Sequence, residues 1–265
     1  MRSPRMTSQK TAKINQVFQR WPKGTVATQT WLNQLGVSSK LANWHVGSGW
    51  LTRFGARAFT QPGDQVGWQG GLYALQTQLD MTVHVGGRTA LEMQGRSHFV
   101  PLGRHKKVLL VSDQPEQLPA WFRNHPWEAI LEHRCLSLFE RVPGEAVTML
   151  DCGGFKVIMS NAERAILEQM HLARSNDDIE DAYKLMEGLS TLRPNVVQVL
   201  LENCRSAKAK RLFLWSAQTV GHAWFGRLNS ARVNLGKGKR QIYKGGQFNQ
   251  RYQITVPKVE EPPGV

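Results

Sequence analysis

The chain has 265 residues, 41% of them hydrophobic, and carries 34 Lys and Arg against 20 Asp and Glu, a net charge of +14. That is an ordinary globular composition with room for two domains. No apolar stretch follows the charged start Met1-Arg-Ser-Pro-Arg, and the longest aliphatic run is Val108 to Val111, so neither a secretory signal nor a membrane-spanning helix is expected. Cys135, Cys152 and Cys204 are odd in number and lack CxxC or Cys/His spacing, which argues against a disulfide framework and a zinc site and suits a reducing cytoplasm.

The charge is sorted along the chain. Residues 1 to 63 hold nine Lys or Arg and no acid, residues 204 to 256 hold eleven and no acid, and the stretch between holds thirteen bases and eighteen acids. Charge that served only solubility would be interspersed, so two acid-free blocks around an acidic middle point to polyanion-facing surfaces, with DNA or RNA the expected partner.

From the N-terminus, Ile14, Val17 and Phe18 share one face of a helix over residues 10–20 that Trp21-Pro22 stops. Trp31, Leu32 and Leu35 suggest a second helix from about Ala27. Gly36 can take the positive φ of a tight turn, and Ser38 can cap a third helix beginning at Ser39. Leu41 and Trp44 are expected to face inward from it, leaving Ser39, Lys40 and Asn43 outward. Two strand-like runs, 50–53 and 57–60, follow as a hairpin joined through Phe54-Gly55-Ala56. Residues 1–63 therefore read as a winged helix-turn-helix ending at the turn Gln61-Pro62-Gly63-Asp64.

The candidate DNA contacts of this unit are Lys10, Lys13 and Lys23 beside the first helix, Thr28 at the start of the second, Ser38, Ser39, Lys40 and Asn43 on the third, and Arg53 and Arg57 on the wing. Asn43 has the donor and acceptor for a bidentate contact to adenine, and each lysine is equally explained by a solvated helix face.

Residues 64–265 form a second, larger unit. A helix is expected over 66–79, strands at 81–85, 108–111, 145–150 and 155–159, a brief helix at 88–93, and a helix after an apparent Ser160/Glu163 capping box. From about residue 178 the chain turns helical over 179–189, 194–203 and 206–217. A basic Gly/Lys segment and a terminal strand follow. Arg205, Lys208, Lys210 and Arg211 are expected along the exposed side of the last helix, and Lys237, Lys239, Arg240 and Lys244 on the segment, together a basic surface for DNA, RNA or a protein partner. The fold class is α+β, a winged helix-turn-helix followed by a mixed α/β domain with a helical C-terminal portion.

Several short stretches in order resemble the AbiEi-type antitoxins of type IV toxin–antitoxin systems: Gly36-Val-Ser38, Gly49-Trp-Leu51, Trp68 with Gly71-Leu-Tyr-Ala-Leu75, Val83 to Gly95 with His98-Phe-Val100, Ser160 to Glu168, Val233 to Arg240 and Tyr252 to Val256. The resemblance covers nearly the whole chain. It implies an N-terminal winged domain that binds an inverted repeat in the promoter of its own operon, acting as an autorepressor, and a C-terminal domain that opposes a nucleotidyltransferase-like toxin, functionally or by contact.

Enzymatic motifs are missing: H-x-x-x-H, H-E-x-x-H, G-x-S-x-G and a P-loop are absent, and no acid stands two residues before any lysine as a common metal-dependent nuclease would need. His84-Val-Gly-Gly87 looks like an oxyanion loop with no nucleophile beside it. No catalytic residue, cofactor or metal is expected. The alternative reading is an RNA-binding or RNA-processing protein that uses the C-terminal basic block.

Overall fold

The computed structural model describes residues 13–96 and 107–258. Lys10, His98 and His105 lie outside them.

The first helix, α1 (residues 13–20), places Ile14 and Val17 at i, i+3 against the first core, with Trp21 closing that core one turn later. Residues 27 and 28, expected to be helical, instead form strand β1 (Ala27–Thr28), and α2 (Gln29–Gln34) starts behind a Thr28 cap. Gly36 at φ 78° turns the chain into α3 (Ser39–Gly47), whose Ser38 cap accepts from the Leu41 amide. The inward residues of α3 are Ala42 and His45, with Leu41 and Trp44 only half-buried, so its face is rotated by about one residue from the Leu41/Trp44 expectation. Strands β2 (Thr52–Gly55) and β3 (Ala58–Thr60) pair antiparallel, and β1 joins on the far side of β3. The hairpin register sits later than expected, with the turn at Ala56-Arg57 and Arg57 at φ 61°.

Helix α4 (Trp68–Gln78) joins this unit to the rest through two side-chain amides. The Gln78 amide donates to Val26 O and accepts from Thr28 N, both at 2.8 Å, acting as one more peptide group beside β1. Gln76 treats a second strand edge alike: its amide donates to Val83 O at 2.8 Å and Ile158 O at 3.1 Å and accepts from Ile158 N at 2.8 Å. Each amide satisfies backbone groups that burial would otherwise strand. Close approach is built in at Gly70, where a Cβ would lie 1.9 Å from Gly24 O.

Strands β4 (His84–Val85), β5 (Lys107–Ser112), β6 (Ile130–Cys135), β7 (Val147–Asp151) and β8 (Lys156–Ser160) make a mixed sheet in the order β6-β5-β4-β8-β7. Helices α5 (Gly87–Met93) and α7 (Ala162–Leu172) pack on it, the short α6 (Ala120–Arg123) precedes β6, and α8 (Asn176–Glu187), α9 (Pro194–Asn203) and α10 (Ala207–Val220) build the helical part. Strands β9 (Arg240–Gln241), β10 (Gln247–Asn249) and β11 (Ile254–Val256) close the chain as a third sheet, ordered β10-β11-β9. The expected capping box does not form. Asn161 caps α7, while Ser160 Oγ donates to Glu168 and Glu163 receives the Arg193 guanidinium.

Glu168 lies at the centre of the larger core. Its carboxylate, wholly buried, accepts from Arg164 Nε at 2.7 Å, Ser160 Oγ at 2.9 Å and Gly87 N at 2.9 Å, and faces His84 Nε2 at 3.3 Å. Arg164 reaches on to Asp113 at 2.6 Å. The Gly86-Gly87 turn that resembles an oxyanion loop thus holds an anion of the chain itself, and a Cβ on Gly86 would meet Glu168 Oε2 at 2.6 Å. Burial pushes the Glu168 carboxyl up, but the Arg164 charge, the His84 contact and the Gly87 amide outweigh it and hold it at about 2 against an ordinary 4.5.

A carboxyl held below its unfolded value stabilises the fold fully above about pH 4.5 and loses that contribution as pH falls toward 2, about 3 kcal/mol in all. Urea unfolding of wild type and Glu168→Gln between pH 7 and pH 3 should show the variant less stable at pH 7 by about that amount, with a flatter acid limb. Parallel pH profiles for the two proteins would contradict it.

Candidate nucleic-acid interface

One exposed, cationic surface runs from α3 to the β2–β3 hairpin. Ser39, Lys40 and Asn43 are exposed on α3, and Arg53, Ala56 and Arg57 are exposed on the β2–β3 hairpin. Asn43 and Arg53 tie the two elements together: Arg53 Nη2 donates to Asn43 Oδ1 at 2.6 Å, and the same guanidinium lies 5.5 Å above the Phe59 ring. This contact leaves the Asn43 amide hydrogens pointed away from its partner, while Arg57 is carried to the tip of the turn by its positive φ. Lys13 places its ammonium near the Gly36 turn, and Lys23 is exposed beyond α1. Thr28 is different. It is 3% exposed, with its hydroxyl capping α2 and its amide bound to Gln78, so it positions the unit and offers nothing to a ligand.

The β2–β3 hairpin is seated on the larger domain, which the sequence did not suggest. Phe54 stacks on His125 with ring centroids 4.2 Å apart and packs against Trp121 and Trp127, and a Cβ on Gly55 would meet the Trp121 Cβ at 2.7 Å. Burial holds the His125 imidazole below its ordinary pKa, as suits a ring packed among aromatics. Next to it, Leu110, Leu118, Phe122, Trp127 and Leu131, with His133, line a cavity of about 600 Å³. Arg123, exposed at the end of α6, extends the basic border beside the hairpin. No periodic signal marks these residues, because 121–127 belong to the single turn of α6 and the loop after it, whose partner is about seventy residues away.

The second basic block is sorted by burial. Arg211 was expected on the exposed side of the last helix and is 1% exposed. Its guanidinium donates to four carbonyls, Leu235 at 2.9 Å, Gly238 at 2.6 Å, Gln253 at 3.0 Å and Gly236 at 3.0 Å, so it shapes the Gly/Lys segment from inside. Lys210 is likewise buried, and Lys208 is half-buried with its ammonium on Ala173 O. These three are corrections to the surface read from the sequence: α10 turns them toward the rest of the fold. Arg205, Lys237, Lys239, Arg240 and Lys244 are exposed as expected. Among the described residues no cluster of three or more His, Cys, Asp or Glu side chains is arranged to hold a metal ion, and no helix is long and apolar enough to cross a membrane.

With this geometry in view, two family models match in tandem: one described as the AbiEi antitoxin N-terminal domain of a transcriptional regulator, over residues 10–102, and one as the transcriptional regulator, AbiEi antitoxin, of a type IV toxin–antitoxin system, over residues 105–257. The chain belongs to the AbiEi antitoxin family. The crystal structure of the RV2827C protein from Mycobacterium tuberculosis aligns with this AbiEi-family chain over 88% of its length and 86% of its own, with a TM-score of 0.51 and 14% identity, a likeness of fold alone. No curated protein matches. The two family models meet between residues 102 and 105, so the family's N-terminal portion takes in α4, β4 and α5 as well as the three-helix unit.

If Arg211 builds the Gly/Lys segment in this AbiEi antitoxin, Arg211→Met should cost about 3 kcal/mol, because it removes four hydrogen bonds from a charged donor to part-buried carbonyls, and should speed amide exchange over 236–240. Hydrogen exchange that is unchanged there would show that the carbonyls do not depend on it.

Proposed function

We propose that residues 13–63 are a winged helix-turn-helix that grips duplex DNA at an inverted repeat upstream of the protein's own operon, repressing it, and that the remainder carries the antitoxin activity opposing a nucleotidyltransferase-like toxin. Membership in a family of transcriptional regulators supports the general role. The single observation that carries the DNA-binding reading is the Arg53–Asn43 contact, which fuses the exposed side of α3 and the wing into one surface in a stretch of 63 residues without an acid.

The order helix, strand, helix, helix, strand, strand, with β3 between β1 and β2, is the arrangement in which a third helix enters a major groove while the hairpin follows the adjacent backbone. In this reading Ser39, Lys40 and Asn43 face base edges and phosphates of the groove. Arg53 and Arg57 take phosphates or the minor groove beside it, and Lys13 and Lys23 hold backbone from the α1 side. Because α4 and the Phe54 cluster fasten the unit to the larger domain, the wing meets DNA already oriented, which lowers the ordering cost of binding. The antitoxin role rests on the family alone, and the protein partner is a toxin opposed through contact or through its target.

The full chain and an Arg53→Ala/Arg57→Ala variant should be titrated with the promoter duplex from 50 to 300 mM salt. The wild type should lose affinity with a log–log slope near −0.9 for each phosphate held, and the variant should bind more weakly with a slope shallower by up to about two. Equal affinity for promoter and unrelated duplex, or a variant indistinguishable from wild type, would remove the wing from the interface.

A further inference from the structure

The β10-β11-β9 sheet presents an aromatic residue to solvent inside the acid-free C-terminal block. Its register places Phe248, Thr255 and Gln241 in one row across the three strands, since Phe248 pairs with Thr255 and Thr255 with Gln241. On β11 the residues flanking Thr255, Ile254 and Val256, are fully buried, so the row through Thr255 belongs to the opposite, outer side. Phe248 is 39% exposed there, and the Lys239 ammonium lies 5.2 Å from its ring centroid. A single exposed ring is ordinary on a protein surface, and Met149 and Ile130 are more exposed; what sets Phe248 apart is the ammonium over its face and the acid-free stretch of chain around it.

The surrounding charge gives the occupant. Of the eleven cations in residues 204–256, Lys210 and Arg211 are buried, Lys208 is engaged with Ala173 O, and Arg232 is paired with Glu202 at 3.0 Å. Lys237, Lys239 and Arg240, on the segment that leads into the sheet, are exposed and make no ion pair with an acid among the described residues. Arg211 fixes that segment by taking its carbonyls, so the lysines project from a held backbone rather than a loose one. On the Lys244 side, Glu180 of α8 receives the Tyr243 hydroxyl and Asp177 lies close to it.

We propose that this outer side is a binding site for single-stranded nucleic acid, with an unpaired base stacked on Phe248 and the adjoining phosphates held by Lys237, Lys239 and Arg240. Stacking needs a base whose face is open, which a duplex does not offer. The Lys239 ammonium now over the ring swings aside for the base and meets the phosphate of the same nucleotide. The site is separate from the α3 and wing surface and is independent of the operator-binding proposal.

The test uses the full chain in the Arg53→Ala/Arg57→Ala background, with labelled 12-nucleotide single strands of mixed sequence, one RNA and one DNA, followed by fluorescence anisotropy. Phe248→Ala should weaken binding of the preferred strand by about tenfold or more, and Phe248→Trp should keep or strengthen it. Circular dichroism of both variants checks the fold. Tighter binding of RNA than of DNA would name RNA as the ligand, and equal binding would show that the ribose hydroxyl is not read. A Phe248→Ala protein that binds as wild type does, or a 12-base-pair duplex that competes as well as the single strand, would overturn the site and leave a purely electrostatic surface. Both outcomes are readable whatever the wing variant does to promoter binding.

Discussion

Two glutamine amides on α4 tie the N-terminal unit to the larger one. Gln78 completes the edge of β1 and Gln76 the edges beside Val83 and β8, so one helix is hydrogen-bonded to both units through groups that mimic a peptide. An amide side chain can donate and accept at once, as strand edges require, and no apolar side chain could do so. Val26 and Ala58 of the N-terminal unit then pack into the larger core, and the boundary at Gln61 to Asp64 is a turn between joined bodies instead of a hinge. Everything proposed for the wing depends on that rigidity.

Buried charge follows the same logic of local satisfaction. Glu168 is stabilised by a guanidinium, a hydroxyl and a glycine amide, and Arg211 by four carbonyl dipoles without any carboxylate among them. Both are ionised groups deep in the fold, where an unpaired charge would be expensive, and both use their multiple hydrogen bonds to set backbone geometry. Gly86 after His84 leaves room for the Glu168 carboxylate, while Gly236 and Gly238 supply the positive φ of the segment whose carbonyls Arg211 takes.

Much of the fold was legible. Helix α9 begins and ends where the Pro194 signal and the apolar spacing put it, and α4, α5, β5, β7 and β8 lie within a few residues of their expected places, since each carries its own periodicity. Strands β1, β6, β9 and β10 were not foreseen. Two- and three-residue strands have too few side chains for a pattern, and β6, with His133 and Glu132 in it, owes its conformation to parallel pairing with β5. The α7 cap moved from Ser160 to Asn161 because the Glu168 carboxylate claimed the serine hydroxyl.

The candidate surfaces divide in the same way. Composition alone established that residues 1–63 and 204–256 are basic and acid-free, and the Gly36 turn with its serine cap marked two helices joined by a tight turn, because backbone conformation and capping are decided by neighbours in sequence. Which cations meet solvent was decided by packing. Spacing on a helix distributes side chains among directions, but the direction that becomes the inside depends on what lies against it, and α10 is covered on enough sides to take Lys210 and Arg211 inward. The Arg53–Asn43 contact, the seat of the wing on Trp121 and His125, and the open ring of Phe248 likewise join or expose residues through long-range pairing, which no local pattern in the chain could specify.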